Sequence, residues 1–440
     1  MLMRAAETAA RRTGAIERRI VLRKAIASCL IAGATVAIGA CGGGGGGGPS
    51  GKNLTIYSSL PLTGSSTAQT KPMVDGMKLA LDQAHSKAGQ FNIKYVSLND
   101  ATAQAGAWDP GQCASDARKA VSDSSTIIYL GEFNSGCSEV SIPILNRAGI
   151  PQISPANTYV GLTFAYPGVT LAGEPEKYYP GGTRTYLRIV PNDLIQGAAD
   201  DEAMKQQGCT KVAVANDKEA YGAGLAELVV HQAKLYGLDI TSNEGINPKA
   251  PNFRSYASTV KSEGADCFFF AGIVSNGAVE LTKDINNALP TAKIFGADGV
   301  CTSSYTNAKE GGVPASVDPK LYCTVATQDL HAYPGGEKFL AAYKKKYGVS
   351  NPDPYAIYGY EDMSLALNTI ASLGPKGNDR SAVLNALFNT KNRKSVLGTY
   401  SFDKDGDTTL KSYGFYNVGS DGNPAFIKTL TPKTLPPPKS

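Results

Sequence analysis

The sequence predicts an α/β protein with two lobes, each built on a doubly wound, mostly parallel sheet. Three observations lead to this prediction. The chain of 440 residues is longer than one hydrophobic core usually serves. Short β-rich segments alternate with amphipathic helical segments, a pattern typical of a parallel sheet covered by helices on both faces. This alternation occurs twice, across roughly 54–155 and 185–297, and therefore predicts two sheets.

The amino terminus is predicted to be an export signal followed by a lipid attachment site. Basic residues up to Lys24 precede an apolar segment at 25–40, which has the length of a signal-peptide core and is short for a membrane span. Small residues then precede Cys41, as in a bacterial lipobox, in which the cysteine is diacylated. We therefore expect an exported protein, anchored through Cys41 to the extracytoplasmic face of the cell membrane. An uncleaved signal anchor is the alternative.

The charge distribution argues against a nucleic-acid partner. The formal net charge is +5, but residues 1–40 contain seven basic and two acidic side chains, so the rest of the chain sums to about zero. A protein that binds nucleic acid needs a basic face to neutralise phosphates. After Cys41, a Gly-rich linker to residue 52 is expected to hold the folded body away from the membrane.

Six cysteines remain for disulfides in the exported part, and several pairings are possible. Their order and local context favour Cys113–Cys137, Cys209–Cys267 and Cys301–Cys323. Cys209 and Cys267 each precede an apolar strand, so adjacent parallel strands would bring them together. No Cys-x-x-Cys motif occurs and the three histidines are well separated, so we predict no metal site and no cofactor.

The elements follow in chain order from their apolar periodicity. In the first half, strands are predicted at 54–60, 92–98, 125–131, 151–154 and 185–190, and helices at 71–87, 112–121 and 138–147. In the second half, helices are predicted at 194–207, 221–236, 253–263 and 274–287, and strands at 211–216, 237–242, 266–271 and 292–296. Helices at 335–347, 355–373 and 379–388 and strands at 396–402, 411–418 and 424–430 complete the chain. A long loop is expected at 160–183, which is rich in Pro, Gly and Tyr.

An acidic turn at 402–408 resembles a calcium-binding loop only superficially. Gly414 stands where a calcium loop requires a bidentate Glu, so a hairpin turn is the better interpretation. The final residues, 431–440, form a polar, Pro-rich tail.

Ligands of parallel sheets bind beyond the carboxyl ends of the strands, so residues that follow strands are candidates for a site. Ser135 and Thr158 follow strands of the first lobe and supply hydroxyls beside helix starts, which suit a carboxylate. Tyr221 and Asp298 follow strands of the second lobe and supply an aromatic ring and a carboxylate, which suit an ammonium. Each residue also has an ordinary alternative role: a helix cap, a packing aromatic or a turn residue.

Several sequence blocks resemble the type I periplasmic binding proteins, specifically the leucine/isoleucine/valine-binding receptors of ABC transporters. The resemblance extends from Leu54 to about Leu430. It is carried by SLPLTGSS (59–66), GEFNSGCSEVSIPILNRAGIPQISPANT (131–158), YLRIVPNDLIQGAA (186–199), DKEAYGAGLAE (217–227) and FGADGV (295–300).

The resemblance implies roles for individual residues. Ser135, Ala156 and Thr158 would hold the carboxylate and amine of a ligand through main chain and hydroxyls. Tyr221 would close over the ligand from the second lobe, and Asp298 would bind the ammonium. The family's branched-chain receptors carry Glu at the position of Asp298 and Tyr at that of Ile273, which puts branched-chain specificity in doubt.

The same resemblance implies a three-segment hinge, with crossings near 189–192, 325–328 and 396–400. The first lobe would then comprise 53–190 plus 327–396, and the second 191–326 plus 397–430. The protein would hand a small ligand, an amino acid or an analogue, to an ABC transporter permease.

Two rival functions remain. An enzyme is disfavoured because no Gly-x-Ser-x-Gly motif and no histidine near a predicted strand end occurs. A receptor lobe that senses amides, urea or small acids and signals through a separate partner is the alternative to transport.

Overall fold

The computed structural model describes residues 48–436 and contains two sheets, as predicted. The expected signal peptide, Cys41 and the last four residues of the tail lie outside the described residues. The first sheet has the spatial strand order Lys87–Ala88, Phe91–Asn99, Asn53–Leu60, Thr126–Leu130, Gln152–Ser154 and Tyr186–Arg188. The second has the order Asp239–Gly245, Lys211–Asn216, Cys267–Ala271, Lys293–Gly296, Leu321–Val325, Tyr413–Val418 and Pro424–Leu430.

Both sheets share one doubly wound strand order. Five strands of each sheet are parallel and lie in the order 2-1-3-4-5 when numbered along the chain. The winding reverses between the first and third of these strands, and ligands bind at the carboxyl ends there. These ends are Leu60 and Leu130 in the first sheet and Asn216 and Ala271 in the second. The topology therefore fixes where a site can form in each lobe.

Helices cover both sheets. They span Thr67–Gln83, Pro110–Ser122, Ser135–Arg147, Asp193–Gln206, Ala220–Gln232, Arg254–Ser262, Ala278–Ala288, Ser303–Thr306, Gly336–Tyr347, Tyr355–Ser372 and Arg380–Phe388. Two-stranded hairpins pair Ala101–Thr102 with Ala107–Trp108 and Arg393–Ser395 with Gly398–Tyr400. Among residues 48–436, no helix is both long and apolar enough to cross a membrane.

Several elements differ from the sequence prediction, and two of the differences concern longer elements. The first helix begins at Thr67 rather than 71 and continues through Pro72, although proline is favoured at a helix start. The strand Leu321–Val325 was not predicted. It is largely buried between parallel and antiparallel neighbours, and such strands lack the alternation that marks a half-exposed strand.

A close helix pair joins the carboxyl third of the chain to the first lobe. Helix Tyr355–Ser372 crosses helix Thr67–Gln83, and a Cβ at Gly76 or Gly359 would collide with the backbone of the opposing helix. Glycine at both positions lets the helix axes approach closely. This packing fixes the start of helix Tyr355–Ser372 above the first sheet.

The structure contains the three disulfides that the sequence favoured. Their Cα–Cα separations are 5.6 Å for Cys113–Cys137, 5.8 Å for Cys209–Cys267 and 5.6 Å for Cys301–Cys323, within the usual range for a disulfide. The first joins two helices, and the second joins the start of strand Cys267–Ala271 to the segment before strand Lys211–Asn216.

The loop at 160–183 is compact and packs against both lobes. Buried Glu174 accepts hydrogen bonds from the hydroxyls of Tyr159 and Tyr178, both at 2.6 Å. Tyr166 stacks edge-on against His231 of helix Ala220–Gln232, with ring centroids 5.4 Å apart. Although the loop has no periodic pattern, its buried tyrosines attach it to the rest of the molecule, while its turns, such as that at Leu171, remain exposed.

The first two crossings between the sheets lie where they were expected. The chain leaves the first sheet at Arg188 and continues into helix Asp193–Gln206, which packs on the second sheet. It leaves the second sheet at Val325 and continues into helix Gly336–Tyr347, which packs against the first lobe.

The third crossing lies later than the predicted 396–400. Arg188 donates its backbone N–H to the carbonyl of Gly406 (3.0 Å), which holds the acidic turn at 402–408 against the first sheet. The chain enters the second sheet only at Tyr413. The long-range contact with Arg188 is the physical reason for this difference. The lobe boundaries themselves remain predictions.

A buried ion pair anchors this turn. The guanidinium of Arg188 is fully buried and pairs with Asp407, and it also donates to the hydroxyl of Thr163. Asp407 in turn accepts hydrogen bonds from Thr163 and Asn192 at 3.0 and 3.1 Å. The pair thus joins the last strand of the first sheet, the 160–183 loop and the first crossing.

Replacing Arg188 with alanine is expected to destabilise the protein by about 3–5 kcal/mol, because the substitution leaves Asp407 buried without its cation. Lys404→Ala, which removes an exposed partner of Asp405 on the same turn, should cost less than about 1 kcal/mol. Urea unfolding of the two variants measures the difference. Equal stability of both variants would contradict a structural role for the buried pair.

Candidate functional site

Ser135 begins a helix at the carboxyl edge of the first sheet. It is the first residue of helix Ser135–Arg147 and is 3% exposed. Its hydroxyl accepts a hydrogen bond from the backbone N–H of Tyr159 at 3.4 Å. The unpaired N–H groups of a helix's first turn favour an anion. The disulfide Cys113–Cys137 fixes this first turn to the neighbouring helix.

Ala156 and Thr158 lie on a tightly hydrogen-bonded loop beside Ser135. The hydroxyl of Ser154 accepts from the backbone N–H groups of Ala156 (3.1 Å) and Asn157 (2.8 Å). The amide of Asn157 donates to the carbonyl of Phe133 at 2.8 Å. The N–H of Ala156 is therefore already paired, so a ligand would meet Ala156 through its carbonyl.

Arg188 holds this loop in place through hydrogen bonds to two of its carbonyls. It donates to the carbonyls of Tyr159 (2.7 Å) and Asn157 (3.3 Å) while its charge is paired with Asp407. Two rigidly held carbonyls fix the backbone on either side of Thr158. Arg188 is therefore a positioning residue for the first-lobe half of the site.

Asp298 lies on the opposite half, directly after strand Lys293–Gly296, and is 7% exposed. Its carboxylate accepts hydrogen bonds from the hydroxyl of Tyr221, the amide of Gln196 (2.9 Å) and the hydroxyl of Tyr355 (2.9 Å). Burial raises the pKa of the Asp298 carboxyl, although these three hydrogen bonds oppose the shift. Tyr355 belongs to a helix of the first lobe, so the carboxylate bridges the two halves.

Tyr221 and Ile273 complete the second-lobe half. Tyr221 lies in the first turn of helix Ala220–Gln232 and is buried. The backbone N–H of Ile273 donates to Asp217 at 3.1 Å, which fixes the segment that follows strand Cys267–Ala271. Both residues sit at the two strand ends where the winding of the second sheet reverses.

All six sequence-predicted residues line one cavity between the two sheets. Its walls are formed by Phe133, Asn134, Ser135, Ala156, Thr158, Glu219, Tyr221, Ile273, Asp298, Gly299 and Tyr355. The free space between these walls is about 20 Å³, enough for roughly one water molecule. The two halves thus meet closely around the predicted residues.

Five lining residues were missed by the sequence prediction. Phe133, Asn134, Glu219 and Gly299 each follow a strand end, which makes them candidates by position, but the sequence offered no chemical reason to choose them as site residues. Tyr355 gave no such signal because it begins a helix far along the chain, and only the packing of that helix on helix Thr67–Gln83 brings it to Asp298.

A second and larger cavity, of about 630 Å³, lies between residues 301–303, 351–354 and 421–426. Two carboxylates in its lining already accept hydrogen bonds from nearby backbone N–H groups. Asp353 accepts from the N–H of Tyr355 and Asp329 from that of His331, both at 2.9 Å. None of the six predicted residues lines it.

Buried acids surround Asp298. Burial, and then the charge of Asp298, raise the pKa of both Asp193 and Asp200. Asp200 accepts from the hydroxyl of Thr324 at 2.7 Å, and Gln196 contacts both Thr324 and Asp298. Burial, and then the charge of Asp217, raise the pKa of Glu219 to about 7. These buried carboxyls therefore bind protons more readily than exposed carboxyls do, because burial disfavours their charged forms.

The pKa shifts predict an unusual pH dependence of stability. The pKa values of Asp100, Glu219 and Asp353 are raised to about 8, 7 and 7, mainly by burial. The folded chain then binds more protons than the unfolded chain from about pH 4 to pH 8, so this stabilisation is lost as pH rises through the folded-state pKa values.

Urea unfolding without ligand should therefore give a free energy of unfolding that falls between about pH 5 and pH 8. Asp100→Asn should make this decline shallower, because it removes the group with the highest of these pKa values. A free energy that rises across the interval would contradict the burial of these carboxyls.

The sequence profile of a family described as periplasmic binding protein matches residues 55–423. A Leu/Ile/Val-binding protein homolog 2 from Brucella abortus is 25% identical over 369 residues, covering 82% of this chain and 90% of that protein. An amino acid binding protein from Pseudomonas aeruginosa is 26% identical over 369 residues, covering 82% and 89%.

Solved structures share the fold. A leucine binding protein LivK from Thermotoga maritima superposes with a TM-score of 0.72 at 22% identity, covering 86% of this chain and 99% of that one. An ABC transporter solute binding protein from R. palustris, solved with 4-hydroxybenzoate, gives a TM-score of 0.70 at 17% identity, covering 86% and 97%. With its two doubly wound sheets and a family profile that matches most of its length, this chain belongs to the periplasmic binding protein family and has the type I fold.

Proposed function

We propose that this protein is the extracytoplasmic solute-binding lipoprotein of an ABC importer, and that it binds an amino acid or a related small polar ligand between its lobes. The observation that carries the proposal is the composition of the smaller cavity. One wall has the hydroxyl of Ser135 and a helix start, and the opposite wall has the buried carboxylate of Asp298. This arrangement complements a zwitterion, whose two charges would be held from opposite lobes.

The donors and acceptors suit each end of such a ligand. The ligand carboxylate would lie against Ser135 and the first turn of its helix, where N–H groups favour an anion. The ammonium would lie between the carbonyl of Ala156, the hydroxyl of Thr158 and the carboxylate of Asp298. Tyr221 and Ile273 would cover it from the second lobe. These roles agree with those that the sequence resemblance implied.

Binding would proceed by closure of the two lobes. The free space of about 20 Å³ is smaller than an amino acid, so the lobes would separate to admit one and would then close around it with a wider space than in this structure. Ligand contacts to both lobes stabilise the closed form relative to the open one. A permease that distinguishes the two forms would receive the loaded protein, and Cys41 would keep it at the membrane.

The relatives support binding rather than catalysis, since those described above are binding proteins by name. A small aromatic acid is the second candidate ligand. The rings of Phe133 and Tyr355 meet edge-on at the cavity, with centroids 5.8 Å apart, and the R. palustris protein was solved with 4-hydroxybenzoate. Asp298 favours an amine, because a ligand without one would leave this carboxylate without a cation.

A thermal-shift and calorimetry panel of amino acids, amides, urea and benzoates tests the proposal. A true ligand at a hundredfold its Kd should stabilise the folded protein by about 2.7 kcal/mol. Asp298→Asn should abolish the shift for amine-bearing ligands, because it removes the charge that pairs with the ammonium. The control Asp239→Asn, at an exposed strand start of the same lobe, should leave the shift unchanged.

Two results would refute the assignment. Equal affinity of Asp298→Asn and the unchanged protein for an amine-bearing ligand would exclude Asp298 as its partner. A response confined to benzoates would replace the amino acid with the aromatic acid as the ligand.

A further inference from the structure

The cavity contains a second carboxylate, Glu219, which the zwitterion does not use. Glu219 immediately precedes helix Ala220–Gln232, yet its side chain does not cap that helix. Its carboxylate accepts instead from the amide of Asn276 (2.7 Å) and from the indole N–H of Trp108 (3.3 Å). Trp108 belongs to the first lobe, so Glu219 faces the boundary where the lobes meet.

Both carboxylates retain acceptor capacity. A carboxylate has about four lone-pair sites. Asp298 receives three hydrogen bonds, from Tyr221, Gln196 and Tyr355, and Glu219 receives two. About one site on Asp298 and two on Glu219 therefore remain for a ligand.

The described lining supplies no cation to balance these charges. None of the eleven residues around the cavity is Lys, Arg or His. Closing the lobes over a ligand with an apolar side chain would leave Glu219 without a counterion, so its carboxyl would have to bind a proton instead. A ligand with a second positive group would instead satisfy it.

Aromatic rings strengthen this preference. Trp108 contacts Glu219 directly, and its ring packs over Gly136 at the start of helix Ser135–Arg147. Phe133 and Tyr355 line the cavity itself. Cations are attracted to aromatic faces, so the rings of Phe133 and Tyr355 and the two carboxylates favour the same class of ligand.

We propose that the ligand is an amino acid whose side chain ends in a cationic nitrogen, and that Glu219 binds this second nitrogen while Asp298 binds the α-ammonium. This inference rests on the proposed function, because it requires an amino acid in the same cavity.

L-lysine and L-norleucine provide a matched test, since they differ only by the terminal ammonium. Calorimetry with the full chain should give an affinity for lysine at least about tenfold higher than for norleucine, because a hydrogen bond to a charged group typically contributes a factor of this order. Glu219→Gln should reduce lysine affinity by about tenfold and leave norleucine affinity unchanged or higher. Glu202→Gln, which removes a partly exposed carboxylate from the same lobe, should change neither.

The outcomes separate the two proposals. Norleucine bound as tightly as lysine by the unchanged protein would overturn the cationic side chain and leave amino-acid binding intact. A lysine preference that persists in Glu219→Gln would overturn the assignment to Glu219. Binding of neither amino acid would overturn this inference, while the proposed function would still be decided by the wider panel of amino acids. The ratio in the unchanged protein is decisive even if Glu219→Gln does not fold.

Discussion

The buried carboxylate of Asp298 is the constraint on which the site depends. A charge removed from water is costly unless hydrogen bonds and a counter-charge compensate it. The chain supplies the hydrogen bonds from three separate segments, through Gln196, Tyr221 and Tyr355. Tyr355 approaches from the opposite lobe. The set of three hydrogen bonds to Asp298 is therefore complete only when the lobes meet. An ammonium would then supply the counter-charge.

The topology of the two sheets brings the two halves of the site together. Each has the 2-1-3-4-5 order, so each presents two adjacent carboxyl ends to the other lobe. Ser135 and Tyr221 begin helices just after such ends. Arg188 then fixes the loop around Thr158 through two carbonyls. The first-lobe half is thereby preorganised, so little conformational freedom is lost there on binding.

Features governed by local sequence were predictable. The strand and helix alternation, the strand ends and the residues that follow them emerged from periodicity, and the three disulfides from order and context. Ser135, Ala156, Thr158, Tyr221, Ile273 and Asp298 all line one cavity. What could not be predicted depends on contacts distant in sequence: Tyr355 at Asp298, Arg188 at Asp407 and the buried strand Leu321–Val325. A single sequence carries no signal for such partners.

A crystal structure of the protein with a bound amino acid would locate both charged ends of the ligand. We expect closed lobes with the ligand's α-ammonium within about 3 Å of the Asp298 carboxylate, a normal hydrogen-bond distance. The ligand carboxylate should lie against Ser135. An amino acid bound in the larger cavity beside Asp353, or with its carboxylate turned towards Asp298, would exclude Asp298 as the partner of the ammonium.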